Sequence, residues 1–338
     1  MKKKLTNILK FLFFLGLGIL IIWLSLHTIK KNPNEWDEFL VALKTANFWL
    51  FIPVIFIMTA SHILRAMRWK ILMQPMGYNP SLVNTFFAVM VGYMANAAVP
   101  RLGEVLKCTI LARYEKVPAE KIVGTIVAER AFDVICLGIV FLLALIFQFD
   151  VIMSAYQHLK TMMAGKPNEP MSNTKLYLLI SIGIIAFLFF AWAIITKRVQ
   201  KIITVFKNIG AGVWEGLITA TKLKNKGLFF LYSFGIWAMY LSGTWIGFYA
   251  TQGTVGLGIS QALSCLAFAS IGMIITPGGI GAYAQLLAIV LTLQNPPIPN
   301  SIGYANGTLQ WFAQTIIVLA VGFICLNLLP IYNKKKEI

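Results

Sequence analysis

Two proline-punctuated breaks interrupt apolar sequence: Asn96-Ala97-Ala98-Val99-Pro100-Arg101-Leu102-Gly103-Glu104 and Thr276-Pro277-Gly278-Gly279-Ile280-Gly281-Ala282-Tyr283. A simple anchor would run on as unbroken helix at these points. Pro removes a backbone donor and Gly relaxes the chain, so each break frees polar backbone groups. Hydrocarbon cannot satisfy those groups, so such a break persists only when packed in protein or lining a watery cavity. Paired breaks in corresponding halves point to a transport site.

The composition around them is that of a membrane. Residues are 58% hydrophobic and 12% charged, where a soluble domain carries roughly 25% charged residues. The net charge of +17 comes from basic residues in the gaps between apolar runs, as membrane topology requires. It does not form the clustered patch of a nucleic-acid binder. Cys108, Cys136, Cys265 and Cys325 lie far apart and read as small buried thiols. His27, His62 and His158 are equally isolated. Neither a metal nor a cofactor is called for. Lys2, Lys3, Lys4 and Lys10 precede an apolar stretch longer than a signal core, which reads as a retained first helix.

Runs long enough to span, about 20 residues, occur near 8–28, 47–68, 122–147, 175–196, 228–250 and 306–329. The stretches 82–112 and 260–294 hold the breaks. Residues 35–44 and 199–221 show apolar side chains at helical spacing and read as helices lying in the membrane interface.

Charge sets the orientation. With both broken stretches re-entrant and the N-terminus inside, 21 Lys and Arg residues face the cytoplasm and 6 face outward, leaving Arg101 and Arg130 at membrane depth. That is a strong positive-inside bias. The expected fold is an all-α polytopic membrane protein. It has six spanning helices, two re-entrant broken-helix hairpins and two interfacial amphipathic helices, arranged as an inverted repeat. Residues 1–149 form the first repeat and 175–338 the second, joined by an extracytoplasmic connector at 150–174. The protein is expected in a bacterial cytoplasmic (inner) membrane, with both termini cytoplasmic.

Charges at membrane depth are expensive and mark candidate sites. Arg101, Glu104 and Lys107 share one face of the second arm of hairpin one. Pro100 opens that arm, whose free N–H groups suit an anion. The plainer alternative is an Arg101–Glu104 pair pinning the turn. Glu129, Arg130 and Asp133 lie within one span. They read either as a self-neutralising clamp onto the hairpin or as a site where Arg130 and Arg101 grip a phosphate, for which the planar guanidinium is suited. Arg65, Arg68, Trp69 and Lys70 read first as an interfacial anchor with Trp69 in the aromatic belt, and second as a headgroup collector. Gly278, Gly279 and Gly281 suit close packing and a hinge. Gly243-x-x-x-Gly247 is a common packing motif. Asn306-Gly307-Thr308 fits a glycosylation sequon but opens a span.

At these residues the chain resembles the flippase-like transmembrane family found in lysylphosphatidylglycerol synthases and related stand-alone bacterial membrane proteins. The matching pieces are Arg65-x-x-Arg68-Trp69, Asn96 with Pro100-Arg101-x-Gly103-Glu104-x-x-Lys107, Glu129-Arg130-x-x-Asp133, and Pro277-Gly278-Gly279-x-Gly281. The resemblance spans essentially the whole chain. It implies a protein that moves a lipid between leaflets or assists a lipid-modifying pathway, with partners among membrane lipids of anionic headgroup and lipid-biosynthesis proteins. The family's second motif often carries a Glu where this chain has Ala284, followed by Gln285. That departure counts against any mechanism needing a carboxylate in hairpin two, including proton coupling there. A membrane-embedded transferase or phosphatase and a non-transporting scaffold are the competing readings. The transferase or phosphatase is disfavoured because no convincing catalytic set accompanies Glu104, Glu129 and Asp133.

Overall fold

The computed structural model describes residues 2–99, 102–150, 153 and 223–334. Ten α-helices and four short 3-10 turns account for the structure among these residues, without a strand. They are α1 (Lys2–Lys30), α2 (Pro33–Lys44), α3 (Phe51–Met73), α4 (Leu82–Ala98), α5 (Leu102–Glu115), α6 (Ala119–Phe147), α7 (Lys226–Phe248), α8 (Ile259–Ile275), α9 (Ala282–Thr292) and α10 (Asn300–Lys334). The expected span 175–196, the amphipathic run 199–221, nearly all of the connector, and Pro100 and Arg101 lie outside the described residues.

Four segments among the described residues are long and apolar enough to cross a bilayer: Leu12–Lys30, Phe48–Met76, Ala119–Phe147 and Asn300–Lys334. Their flanks leave large apolar side chains such as Phe13, Phe56, Leu142 and Phe323 exposed, which is stable only against hydrocarbon. The chain is therefore a multi-pass helical membrane protein. Helix α7 has 23 residues, about 34 Å of rise, but is not among those four. It packs antiparallel on α3: Arg68 meets Ser233 and Arg65 meets Tyr240.

Both breaks divide helices. Val99 turns to extended backbone after α4, and Thr276 does so after α8. Hairpin α4–α5 is closed at its open end by Glu115, which accepts from Ser81 N at 3.0 Å and Ser81 Oγ at 2.7 Å. Hairpin α8–α9 turns through Gly278, Gly279 and Gly281, with φ of 62°, 76° and 72°, a region that glycine enters without steric cost. A Cβ on Gly281 would lie 2.6 Å from Gly18 O of α1. Trp311 Nε1 of α10 donates to Gly278 O at 2.7 Å, and the turn also touches α4.

Helix α2 is amphipathic as its spacing predicts, with Asn32 capping Asn34 N and Pro33 in the first turn. Its apolar face is spent on protein, however. Phe39 and Ala42 bury against Ile29 of α1, Ala284 and Ala288 of α9, and Tyr304 of α10.

Candidate functional site

Helix α3 places His62, Arg65, Arg68 and Trp69 at positions i, i+3, i+6 and i+7, which share one face. All four are buried, Arg68 and Trp69 completely. The reading of Arg65, Arg68 and Trp69 as an interfacial anchor is therefore corrected. Trp69 sits in the core, its Nε1 donating to Thr125 Oγ1 at 2.9 Å. The two arginines turn inward because α6 presents carboxylates one turn apart.

Asp133 accepts from Arg68 Nη2 at 2.6 Å and from Arg65 Nη1 at 2.7 Å. Glu129 Oε1 accepts from the same two nitrogens at 3.3 and 3.0 Å. The other two Nη atoms reach α7: Arg65 Nη2 donates to Tyr240 OH at 3.1 Å and Arg68 Nη1 to Ser233 Oγ at 3.3 Å. Distances of 2.6–2.7 Å are those of charge-assisted bonds. Two cations and two anions make a neutral quartet that fastens α3, α6 and α7 together. Asp133 is thus paired across helices, not with Arg130 along its own.

Arg130 goes elsewhere. Its Nη2 donates to Glu104 Oε1 at 3.2 Å, both side chains remaining part-exposed. Asn96 closes the turn beneath them, accepting from Gly103 N at 2.8 Å and donating to Glu104 Oε1 at 3.4 Å. This pair clamps α6 onto hairpin one. Arg101 lies outside the described residues.

Lys107 is the residue the pairing leaves over. It is 2% exposed, and no carboxylate of the described residues lies within salt-bridge distance of it. Its Nζ instead stands 4.8 Å from the Tyr93 ring centre and 5.4 Å from that of Trp69, a cation–π setting. The same Tyr93 ring receives the Arg65 guanidinium at 5.7 Å and the His62 ring at 5.2 Å. His62 Nδ1 and the Nε atoms of Arg65 and Arg68 are buried without a partner. The centre formed by α3, α4, α5 and α6 therefore holds surplus positive charge and two unused guanidinium N–H groups, with Glu104 Oε2 an unpaired acceptor beside them. Guanidinium and ammonium N–H groups are those that bind anionic oxygens.

Hairpin two offers no charge. Ala284 is buried and packs against Gly307, where a Cβ would come within 2.8 Å of Ala284 Cα, so a side chain at 307 would force α9 and α10 apart. Gln285 turns to α1 and accepts from Ser25 Oγ at 2.7 Å. A polar line runs down α10 instead. Asn306 Nδ2 donates to Gly247 O and Thr251 Oγ1, each at 2.8 Å, and Gln310 Nε2 donates to Asn306 Oδ1 at 2.8 Å. Gln314 Nε2 donates to Tyr283 OH at 2.9 Å. Asn306 is fully buried and is no sequon acceptor. This line, together with His62 and Tyr93, escaped the sequence reading. The i, i+4, i+8 spacing of amides in an apolar run was its visible signal.

A multi-pass helical bundle with a buried cationic centre beside a broken hairpin is the class this architecture defines. The chain belongs to the family described as the lysylphosphatidylglycerol synthase TM region, whose model matches residues 7–322. A UPF0104 membrane protein of Methanocaldococcus jannaschii is similar to it, 23% identical over 357 residues, covering 100% of this chain and 99% of the relative. No solved structure matches the chain.

Proposed function

We propose that this protein moves a lipid with an anionic headgroup between leaflets, as a translocase and not as an enzyme. The observation that carries the reading is Lys107, a buried cation facing aromatic rings with no carboxylate of the described residues within salt-bridge distance. Burying an unpaired charge is costly, so such a residue is retained for a ligand that pairs with it. Arg65, Arg68, Glu129 and Asp133 act as the frame that holds α3 and α6 at the right separation. Arg130, Glu104, Asn96 and Gly103 shape the turn. Glu129 and Asp133 each face two guanidinium groups, an arrangement that favours a structural role over a general base. The family takes its description from a lysylphosphatidylglycerol synthase, which supports a lipid substrate.

The same reading keeps six crossings, two re-entrant hairpins opening to opposite sides, and an inverted repeat in a bacterial inner membrane. Alternating access at the hairpin pair follows from that geometry. Arg65, Arg68 and Lys107 are buried and no longer count as loop charges. Without them the balance is 18 inside against 6 outside, still a strong bias. A non-transporting scaffold is the second reading, favoured by the neutrality of the quartet. Reconstitution into vesicles with fluorescent phospholipids and an impermeant quencher separates the two. The transport reading expects an anionic lipid to cross faster than in protein-free vesicles, and faster than a zwitterionic one. Equal quenching with and without protein would favour the scaffold.

A further inference from the structure

Arg130 stands where a charge is not stable unaccompanied. It lies three residues, about 4.5 Å of rise, from the middle of the 29-residue α6, well inside a hydrocarbon layer ~30 Å thick. Its side chain is nonetheless 50% exposed. Val123, Val127 and Val134, at i−7, i−3 and i+4, share its stripe of the helix and are exposed too, so this stripe faces lipid. Among the described residues only Nη2 of the guanidinium is bonded, to Glu104 Oε1 at 3.2 Å. A guanidinium at this depth needs polar company, and the protein supplies it with one carboxylate oxygen.

The seam beside Arg130 is loosely closed. In the second hairpin bare backbones seal the contact of α9 with α10: Cβ atoms on Gly303 and Gly307 would lie 3.0 and 2.8 Å from the Cα atoms of Ala288 and Ala284. Between α5 and α6, by contrast, Val105 and Val127 stay more than half exposed, and a Cβ on Gly124 would meet nothing. The cationic centre lies behind this seam. Lys107 is one turn from Glu104 on α5 and within electrostatic range of Glu104, Glu129 and Arg130. Arg130 and Glu104 neutralise each other, so Lys107 leaves the seam with a net positive charge.

We propose that Arg130 is a bilayer-facing docking point for the phosphate of a phospholipid, and that the α5–α6 seam is the side by which that headgroup reaches Lys107. Charge complementarity selects the occupant. A half-exposed guanidinium with free N–H groups suits two phosphate oxygens, and a phospholipid is the phosphate source that a lipid-facing stripe meets. Glu104 keeps Asn96 Nδ2 as a donor when the phosphate takes its place on Arg130. Docking rests on the exposed face alone, whereas passage to Lys107 rests on the headgroup reading above.

The test uses the full chain in vesicles of phosphatidylcholine and phosphatidylglycerol. These are doped with phosphatidylethanolamine acylated on its amine by a diazirine, which leaves the phosphate as the headgroup's one charge. After irradiation, labelled residues are mapped by mass spectrometry. Label is expected on Val105 and Val134, beside Arg130, and not on Ile316, which is exposed near the middle of α10 and has no cation at hand. Arg130→Gln should cut the label on Val105 and Val134 about tenfold, the scale of a lost charge-assisted hydrogen bond. Absence of that label, equal label on Val134 and Ile316, or label indifferent to Arg130→Gln would each overturn the docking point. A Lys107→Met arm separates the two readings. Label that depends on Arg130, together with wild-type transport by Lys107→Met, supports the docking point and removes passage to Lys107. Lost transport in Lys107→Met without label that depends on Arg130 removes the docking point and leaves the headgroup reading standing.

Discussion

Gly92 of α4 and Lys107 of α5 occupy one crossing point, where a Cβ on Gly92 would lie 2.8 Å from Lys107 Cγ. Directly beside it, a Cβ on Gly103 would lie 2.0 Å from Gly92 O. The two bare backbones let the arms of hairpin one touch. The gap that remains is the path by which the lysine stem crosses α4 to reach Tyr93 and Trp69. Removal of side chains at positions 92 and 103 thus places the ammonium group in the core.

Substitutions at the two glycines should therefore separate. Gly103→Ala meets rigid backbone and should destabilise by about 1–3 kcal/mol through overpacking. Gly92→Ala meets mainly a flexible side chain, so it should cost less stability but displace the ammonium and weaken anionic lipid binding. Melting temperature and lipid binding of the two purified variants check this. Equal losses of both quantities in both variants would contradict it.

The quartet makes a second prediction. Asp133→Asn leaves Arg65 and Arg68 with a single shared carboxylate oxygen and should destabilise by about 3–5 kcal/mol, the cost of breaking a buried pair. Arg130→Gln breaks a pair with part-exposed side chains and should cost no more than about 1 kcal/mol. Thermal or denaturant unfolding in detergent distinguishes them. Comparable destabilisation by both would mean that the Arg130–Glu104 pair holds as much of the fold as the quartet.

Within the second turn, Gly278 has positive φ but open space around its Cβ position, whereas Gly281 has positive φ and Gly18 O in the way. Gly278→Ala should cost about 1–2 kcal/mol from backbone strain alone. Gly281→Ala should add an overpacking cost of about 1–3 kcal/mol and loosen the turn from α1. Protease sensitivity and melting temperature report both effects.

Topology gives a fourth prediction. Re-entry of hairpin one places Lys116 and Lys334 on the cytoplasmic side and Lys44 outside. Single cysteines at these positions, in a chain freed of native cysteines, should react with an impermeant thiol reagent in that pattern. Labelling of positions 116 and 334 from opposite sides would remove the re-entrant arrangement.

How much of this could be read from the chain depended on whether the signal was local. The breaks near Pro100 and at Pro277 were legible because proline and glycine act on their own backbone. So was α2, with Pro33 at its first turn and a helical apolar period. The partners of Asp133 were not legible. The i, i+3 neighbour Arg130 is in reach along the helix, while Arg65 and Arg68 lie 68 and 65 residues away. Only the packing of α3 on α6 decides between them. Trp69 was misread for a related reason. A Trp beside Arg and Lys at the end of an apolar run has the composition of an interface belt, and burial is a tertiary property. The Asn306, Gln310 and Gln314 line was not legible because the partners Gly247, Thr251 and Tyr283 come from other segments, which amide spacing along α10 does not identify.

Replacement of Lys107 by Met tests the central claim most directly, because Met keeps much of the stem volume that crosses Gly92 and removes only the charge. A lysine kept for a ligand loses an ionic hydrogen bond worth about 1.5–3 kcal/mol, or roughly 10- to 100-fold in affinity. Loss of an unpaired buried cation should leave stability unchanged or raise it. The measurement is translocation of a fluorescent anionic phospholipid in vesicles, with the melting temperature taken on the same preparation. The prediction is a Lys107→Met protein that is at least as heat-stable as wild type and about tenfold or more slower at moving the lipid. Wild-type translocation by that variant, or a large drop in melting temperature, would contradict it.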